Sequence, residues 1–67
     1  MAIFNKFDTV KLIERTEIKP LFFINDDVTG VVMDKTFPNY FLVKFENLGC
    51  YWVDGCKLER VVRRGLI

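Results

Sequence analysis

Residues 30–60 read GVVMDKTFPNYFLVKFENLGCYWVDGCKLER, and this stretch decides the fold. Within it, Phe41, Val43 and Phe45 recur at every second position, which is typical of a strand with one buried face. Aromatic and β-branched side chains dominate the same segment, as a half-buried pleated surface prefers. The pattern therefore predicts a central strand over residues 40–46.

Turn-forming residues divide the rest of this stretch into short strands. Pro38 lacks the amide N–H that a ladder needs and Asn39 tolerates turn geometry, so a turn is predicted just before the central strand. Asn47-Leu48-Gly49 predicts a second turn, and Asp54-Gly55 predicts a tight one. These turns separate further strands, which we expect at residues 29–34, 50–53 and 57–62.

The two ends of the chain are less regular. In the last predicted strand, Leu58, Val61 and Val62 also fit helical spacing, so periodicity does not decide between a strand and a single helical turn. Residues 1–7 carry apolar side chains at helix-like spacing and are interpreted as a lid or an arm. Residues 63–67 are interpreted as a basic tail.

The first strand is predicted at residues 8–14, with Val10 and Leu12 on one face. A charged loop is predicted over residues 15–19, and the apolar run LFFI follows at residues 21–24. Two interpretations of this run stay open. It packs over an open end of the sheet, as a small core requires, or it is a binding loop, because long loops in compact domains are often functional.

The composition limits both size and function. A chain of 67 residues allows one domain, residues 1–67, and a chain this small buries only about 60% of its unfolded surface. Because 51% of the residues are hydrophobic, we expect a homodimer or an apolar partner surface. The net charge of +1 lacks the strongly basic footprint of many nucleic-acid-binding proteins. No apolar run approaches a membrane span and no signal peptide is recognised, so a cytoplasmic location is expected.

The chemistry-bearing residues are few. The chain has two cysteines, Cys50 and Cys56, and no histidine, whereas a structural zinc site usually takes four such ligands. We therefore predict two reduced thiols, no metal and no cofactor. If Asp54-Gly55 forms a two-residue hairpin loop, the cysteines do not face each other, and no disulfide is predicted. With no serine, histidine or glycine-rich phosphate loop, the chain is predicted not to be an enzyme.

Four short motifs carry a resemblance to a known group of folds. They are Gly30-Val31-Val32, Val43-Lys44-Phe45, Tyr51-Trp52-Val53 and Leu58-Glu59. Together they resemble SH3-like small barrels, among them electron-transport accessory proteins and KOW-type barrels. The resemblance implies an all-β, five-stranded antiparallel SH3-like barrel with a long loop after the first strand. It also implies a docking or accessory role without catalysis. No ALYDY-like segment of signalling SH3 domains follows the first strand.

The first functional hypothesis is a protein-interaction module or an accessory or regulatory subunit. Aromatic residues and Met are enriched at interface cores, and this chain has more apolar side chains than its core can hide. Small size also fits a regulatory protein encoded by a phage or a mobile element. The candidate partner-binding residues are Leu21, Phe22, Phe23, Ile24, Tyr40, Leu42 and Tyr51.

The alternative is a nucleic-acid-binding barrel, in which aromatic side chains stack on bases beside basic groups. The candidate residues for this function are Lys44, Trp52, Lys57, Arg60, Arg63 and Arg64. Interleaved carboxylates and the nearly neutral net charge weigh against it. For Trp52 we favour core packing over base stacking, because its side chain has a large area to bury.

Overall fold

The computed structural model describes residues 3–62, which form seven β-strands and one 3-10 helix. The strands are β1 (Thr9–Leu12), β2 (Thr16–Lys19), β3 (Phe22–Ile24), β4 (Thr29–Thr36), β5 (Tyr40–Phe45), β6 (Gly49–Asp54) and β7 (Leu58–Arg60). Five of them form an antiparallel sheet in the order β6-β5-β4-β1-β7, while β2 and β3 form a separate hairpin. The predicted all-β class is confirmed, and the sheet has β6 and β7 at its two edges within the described residues.

Strands β4, β5 and β6 form a meander around the predicted central strand. Phe41, Val43 and Phe45 are all buried, which confirms the period of two in β5. The predicted turns lie at residues 37–39 and 46–48. Asn47 and Gly49 take positive φ values of 64° and 105°, a conformation that Asn and Gly tolerate better than other residues.

Strand β1 lies inside the sheet, between β4 and β7. Val10 pairs with Gly30 on one side and with Arg60 on the other. Val10 and Leu12 lie on one face, as predicted; both are fully buried, and they join the side chains that β4 and β5 turn to the same side. The first and last strands of the predicted sheet are thus adjacent in space.

The predicted charged loop after the first strand is wrong, because residues 16–19 form β2 and pair with β3. Ile18 and Phe22 turn toward the sheet and pack against the core, and Ile24 is 1% exposed. Their burial explains why the segment forms a hairpin, whose other face exposes Glu17 and its partner Phe23. Residues 21–24 are therefore split between a turn and a strand.

The last predicted strand combines two structures. Gly55–Lys57 form the 3-10 helix, and Leu58–Arg60 then form β7. The Asp54 carboxylate accepts a hydrogen bond of 2.9 Å from the backbone N–H of Cys56, which caps the helix. Asp54-Gly55 is accordingly not a two-residue hairpin loop, and β6 and β7 are not paired with each other.

The N-terminal arm is held to the sheet by Phe4 and Arg60. Phe4 is 5% exposed, and its ring lies edge-to-face against Phe41 with the centroids 5.2 Å apart. The Arg60 guanidinium donates to an Asp8 carboxylate oxygen at 3.0 Å and to the backbone carbonyl of Ile3 at 3.1 Å. One side chain of β7 therefore binds the arm at Ile3 and the residue that follows the arm, Asp8.

This contact predicts a dependence of stability on pH. The backbone N–H of Asn5 and then the Arg60 guanidinium hold the pKa of Asp8 below its usual value. A carboxylate with a lowered pKa in the folded state adds stability above its unfolded pKa, about 3.9 for Asp, and this stability is lost as pH falls through the folded pKa. Asp8→Asn is therefore expected to lower the urea midpoint at neutral pH. At acid pH, the midpoints of the variant and the native chain are expected to become equal.

The measurement is a set of urea denaturation curves from neutral to acid pH for the native chain, Asp8→Asn and the control Asp26→Asn. Asp26 lies in an exposed turn and makes no ion pair or side-chain hydrogen bond within residues 3–62. The control is expected to leave the neutral-pH midpoint unchanged. A difference for Asp8→Asn that stays constant down to low pH contradicts the assignment.

Candidate functional site

The turn of the β2–β3 hairpin presents Leu21 to solvent. Leu21 is 91% exposed, and its backbone has a φ of 63°. This left-handed conformation costs an L-residue roughly 1–2 kcal/mol and is mostly used by Gly, Asn and Asp. The position therefore carries a residue that neither burial nor backbone geometry favours.

The conformation of this turn is fixed by a local hydrogen bond. The backbone N–H of Leu21 donates to a carboxylate oxygen of Glu17 at 3.0 Å. A register shift between Glu17 and Lys19 marks an irregularity in the hairpin at the same place. Leu21 is thus projected from an anchored turn.

Two cations of the hairpin lie against aromatic rings. The Arg15 guanidinium is 4.2 Å from the centroid of the Phe23 ring, which is itself 41% exposed. The Lys19 ammonium is 5.5 Å from the Phe22 ring and 5.6 Å from the Tyr51 ring. Neither cation is in an ion pair among the described residues. Cation–π contacts of this kind restrain both the cation and the ring.

A second group of exposed apolar side chains lies on the outer face of β5 and β6, away from the core. Leu42 pairs with Trp52, and Lys44 pairs with Cys50 on the same face. Trp52 is 48% exposed and Tyr40 is 42% exposed. The prediction that Trp52 packs in the core is wrong, because the residue alternates with the buried Val53 along β6.

The predicted partner-binding residues do not form one surface. Leu21 and Phe23 are exposed on the hairpin, whereas Tyr40 and Leu42 lie on the outer face of the sheet. Ile24 is a core residue, so its assignment as a contact residue is wrong.

Tyr51 and Phe22 are brought together instead. Tyr51, a predicted partner-binding residue, pairs with the buried Val43, so it faces the core side of the sheet. Its ring centroid lies 5.4 Å from that of Phe22, and both side chains are half-buried against the core. They attach the hairpin to β6.

The predicted nucleic-acid-binding residues are also dispersed. Lys57 lies 4.0 Å from a Glu14 carboxylate oxygen, and Arg60 is bound to Asp8. Lys44 is exposed on the same face as Trp52. Arg63 and Arg64 lie outside the described residues.

One apolar groove was not predicted from the sequence. It has a volume of about 310 Å³ and lies between the N-terminal arm and the turn after β4, with Phe4 and Phe41 among its lining residues. Phe37 and Ile3 line it and remain 92% and 70% exposed. The sequence feature that could have indicated this groove is Phe37, an aromatic residue in a proline-containing turn, where no strand could bury it.

The remaining chemistry-bearing groups are sparse. Cys50 and Cys56 are free, exposed thiols. Within residues 3–62, no three or more His, Cys, Asp or Glu side chains are grouped as metal ligands would be. No helix in this part of the chain has the length and apolar character to cross a membrane.

Comparisons of the chain with protein-family models, with curated proteins and with solved structures gave no match.

Proposed function

We propose that this chain is a protein-interaction module without catalytic activity, which docks on a partner protein through the turn of its β2–β3 hairpin. We further propose that the scaffold is an SH3-like small barrel. In support, the last strand pairs with the first, a 3-10 helix precedes the last strand, and the hairpin packs on the core beside β6.

Leu21 carries the proposal. It is a large apolar residue, 91% exposed, in a backbone conformation that costs folding free energy. Backbone strain of this kind is concentrated at functional sites, where it serves a purpose other than stability. A leucine that inserts into a pocket of a partner protein supplies such a purpose.

The surrounding contacts support the same conclusion. Glu17 fixes the turn, and Arg15 lies on the exposed ring of Phe23 beside it. Rigid apolar side chains lose little entropy when they bind, and binding is stronger when the surface is already ordered. The hairpin therefore offers Leu21 as an anchor with Phe23 as a second contact.

The proposal predicts opposite effects on folding and on binding for Leu21→Asn. Asn tolerates a positive φ, so the free energy of unfolding is expected to rise by about 0.5–1 kcal/mol. Loss of the apolar side chain is expected to abolish capture of the protein partner. The measurements are urea denaturation and affinity capture from a lysate of the source cells, with mass spectrometry of the retained proteins.

The matched control is Phe37→Ser, which removes a side chain of equal exposure, 92%, from the turn after β4. It is expected to retain every partner that the native chain captures. Proteins captured equally by the native chain and by Leu21→Asn are not bound through the hairpin. If no protein depends on Leu21, the proposed function is wrong.

Nucleic-acid binding is the second candidate, and one observation favours it. Trp52 is half-exposed on the same face as Lys44, an arrangement that can stack a base beside a phosphate contact. Arg60 is bound to the Asp8 carboxylate and Lys57 lies 4.0 Å from that of Glu14, which weakens this candidate. Quenching of Trp52 fluorescence by single-stranded RNA or DNA, reduced at high salt, would support it over the protein-docking function.

A further inference from the structure

The two edges of the five-stranded sheet differ in their protection. Strand β7 is three residues long, and its charged residues Glu59 and Arg60 are in ion pairs with Lys11 and Asp8. Short length and charge are the usual ways in which a protein prevents pairing at a sheet edge. Strand β7 therefore has the features of a protected edge.

Strand β6 has none of these features along most of its length. It is six residues long, contains no Lys, Arg or Pro, and pairs with β5 without a register shift. Its one charged residue, Asp54, is at its end. Within residues 3–62, the only strand in a backbone ladder with β6 is β5. One backbone edge of β6 is thus unpaired within residues 3–62, and the hairpin reaches this strand through the contact of Phe22 with Tyr51 on the core face.

We propose that β6 pairs antiparallel with β6 of a second copy of this chain, so that two five-stranded sheets become one continuous sheet. Antiparallel pairing of a strand with itself is two-fold symmetric, and it closes after two copies. The proposal does not depend on the hairpin function, because it uses a different surface.

The side chains specify the register. Opposite residues of a continuous antiparallel sheet lie on the same face, so a symmetric pairing centred on Trp52 places this side chain opposite its counterpart in the second copy. Cys50 then lies opposite Asp54 of the second copy. Directly opposed aromatic side chains are stabilising cross-strand pairs, and Leu42 supports Trp52 from β5.

Charge complementarity supports a second copy as the occupant. Lys44 pairs with Cys50 within one chain, so Asp54 of the second copy lies two strand spacings from Lys44, about 9.5 Å between backbones. The long Lys44 side chain spans much of this distance on the outer face. Symmetry repeats the contact, and each copy thus contributes one cation and one carboxylate to the joined face.

Sedimentation velocity over a wide range of protein concentration tests the proposal. The native chain is expected to form a dimer, and Trp52→Lys is expected to weaken it at least about tenfold in dissociation constant, because Lys on an edge strand disfavours pairing. Cys50→Lys places the charge elsewhere on the same edge and is expected to have the same effect. Circular dichroism of both variants verifies that they remain folded.

Tyr40→Lys is the matched control. Tyr40 is an aromatic residue of similar exposure on the same face, but it lies on β5, which is paired on both sides. It is expected to leave the dimer intact. A native chain that stays monomeric at every concentration overturns the proposal, as does a dimer that both edge variants leave unchanged or that Tyr40→Lys dissociates equally.

The register has its own test in Trp52→Cys, made together with Cys50→Ser and Cys56→Ser. In the proposed pairing the two thiols at position 52 are directly opposed, within the backbone separations that a disulfide accepts. With oxidised glutathione as the oxidant, they form one S–S bond and release two reduced glutathione molecules. A covalent dimer is expected, whereas Tyr40→Cys in the same background is expected to remain uncrosslinked. Equal crosslinking of both variants overturns the register.

Discussion

Phe45→Ala is expected to lower the free energy of unfolding by about 3–5 kcal/mol and to give the largest loss of stability among single substitutions in this chain. Phe45 is 1% exposed and is the largest of the fully buried side chains in the described residues. It lies where β5 pairs with β4 and β6, opposite Gly30 and Gly49. Neither glycine has a side chain that could relax into the cavity left by the ring.

The size of this effect follows from the size of the domain. At about 0.05–0.15 kcal/mol per residue, a domain of 67 residues has a total stability of about 3–10 kcal/mol, so the one substitution removes a large part or all of it. Urea denaturation and circular dichroism measure it. Phe37→Ala is the control, because that ring is 92% exposed and its loss is expected to change stability by less than about 0.5 kcal/mol. Equal costs for the two substitutions would contradict the assigned core.

Gly30→Ala is expected to cost about 1–3 kcal/mol, although Ala adds one methyl group to a strand. A Cβ atom at this position would lie 2.5 Å from Val43 Cγ1, 3.0 Å from the Lys44 carbonyl oxygen and 3.2 Å from Phe45 Cδ1. Val43 is fully buried, so moving its Cγ1 away from the new methyl group would disturb the surrounding core. Ala normally stabilises a strand relative to Gly, so a loss of stability identifies the contact as its cause.

A double-mutant cycle with Val43→Ala tests this explanation. Val43→Ala removes the methyl group that the new Cβ atom meets, so the two substitutions together are expected to cost less than the sum of their separate costs. Coupling between residues in contact is about 0.5–3 kcal/mol. Additive costs would show that Gly30→Ala acts through something other than the contact with Val43.

The meander was predictable because the alternation of apolar residues, the turn residues and the observed burial all indicate the same strand. Phe41, Val43 and Phe45 keep a strict period of two, and a proline-containing turn and an Asn-containing turn border the strand. Local signals and burial therefore point to the same element. The same holds for Val10 and Leu12 in β1.

The β2–β3 hairpin was not predictable for a physical reason. Its turn places Leu21 at a positive φ, where turn statistics expect Gly, Asn or Asp, so Pro20 alone marks the turn in the sequence. Its strand β2 carries two charged residues and only one strongly apolar one, Ile18. The departure from the local rules coincides with the candidate binding site, as is expected where a residue serves binding at a cost to folding.

In β6, the prediction assigned Trp52 to the wrong face of the strand. Val53 is buried, and residues two apart on a strand share a face, so Tyr51 belongs to the core side and Trp52 to the outer side. Size alone favoured burial of the tryptophan, but the alternation decides its orientation. The orientation of Trp52 can be deduced from the sequence once Val53 is recognised as the residue that faces the core.

The bond between Arg60 and Asp8 has a consequence for the order in which the chain folds. The turns of the meander close loops of three residues, whereas Arg60 and Asp8 are 52 residues apart. Loop-closure entropy makes the longer connection more costly by about 2.5 kcal/mol if it forms from the open chain. The route of least entropic cost therefore builds the meander first and adds β7 to β1 last.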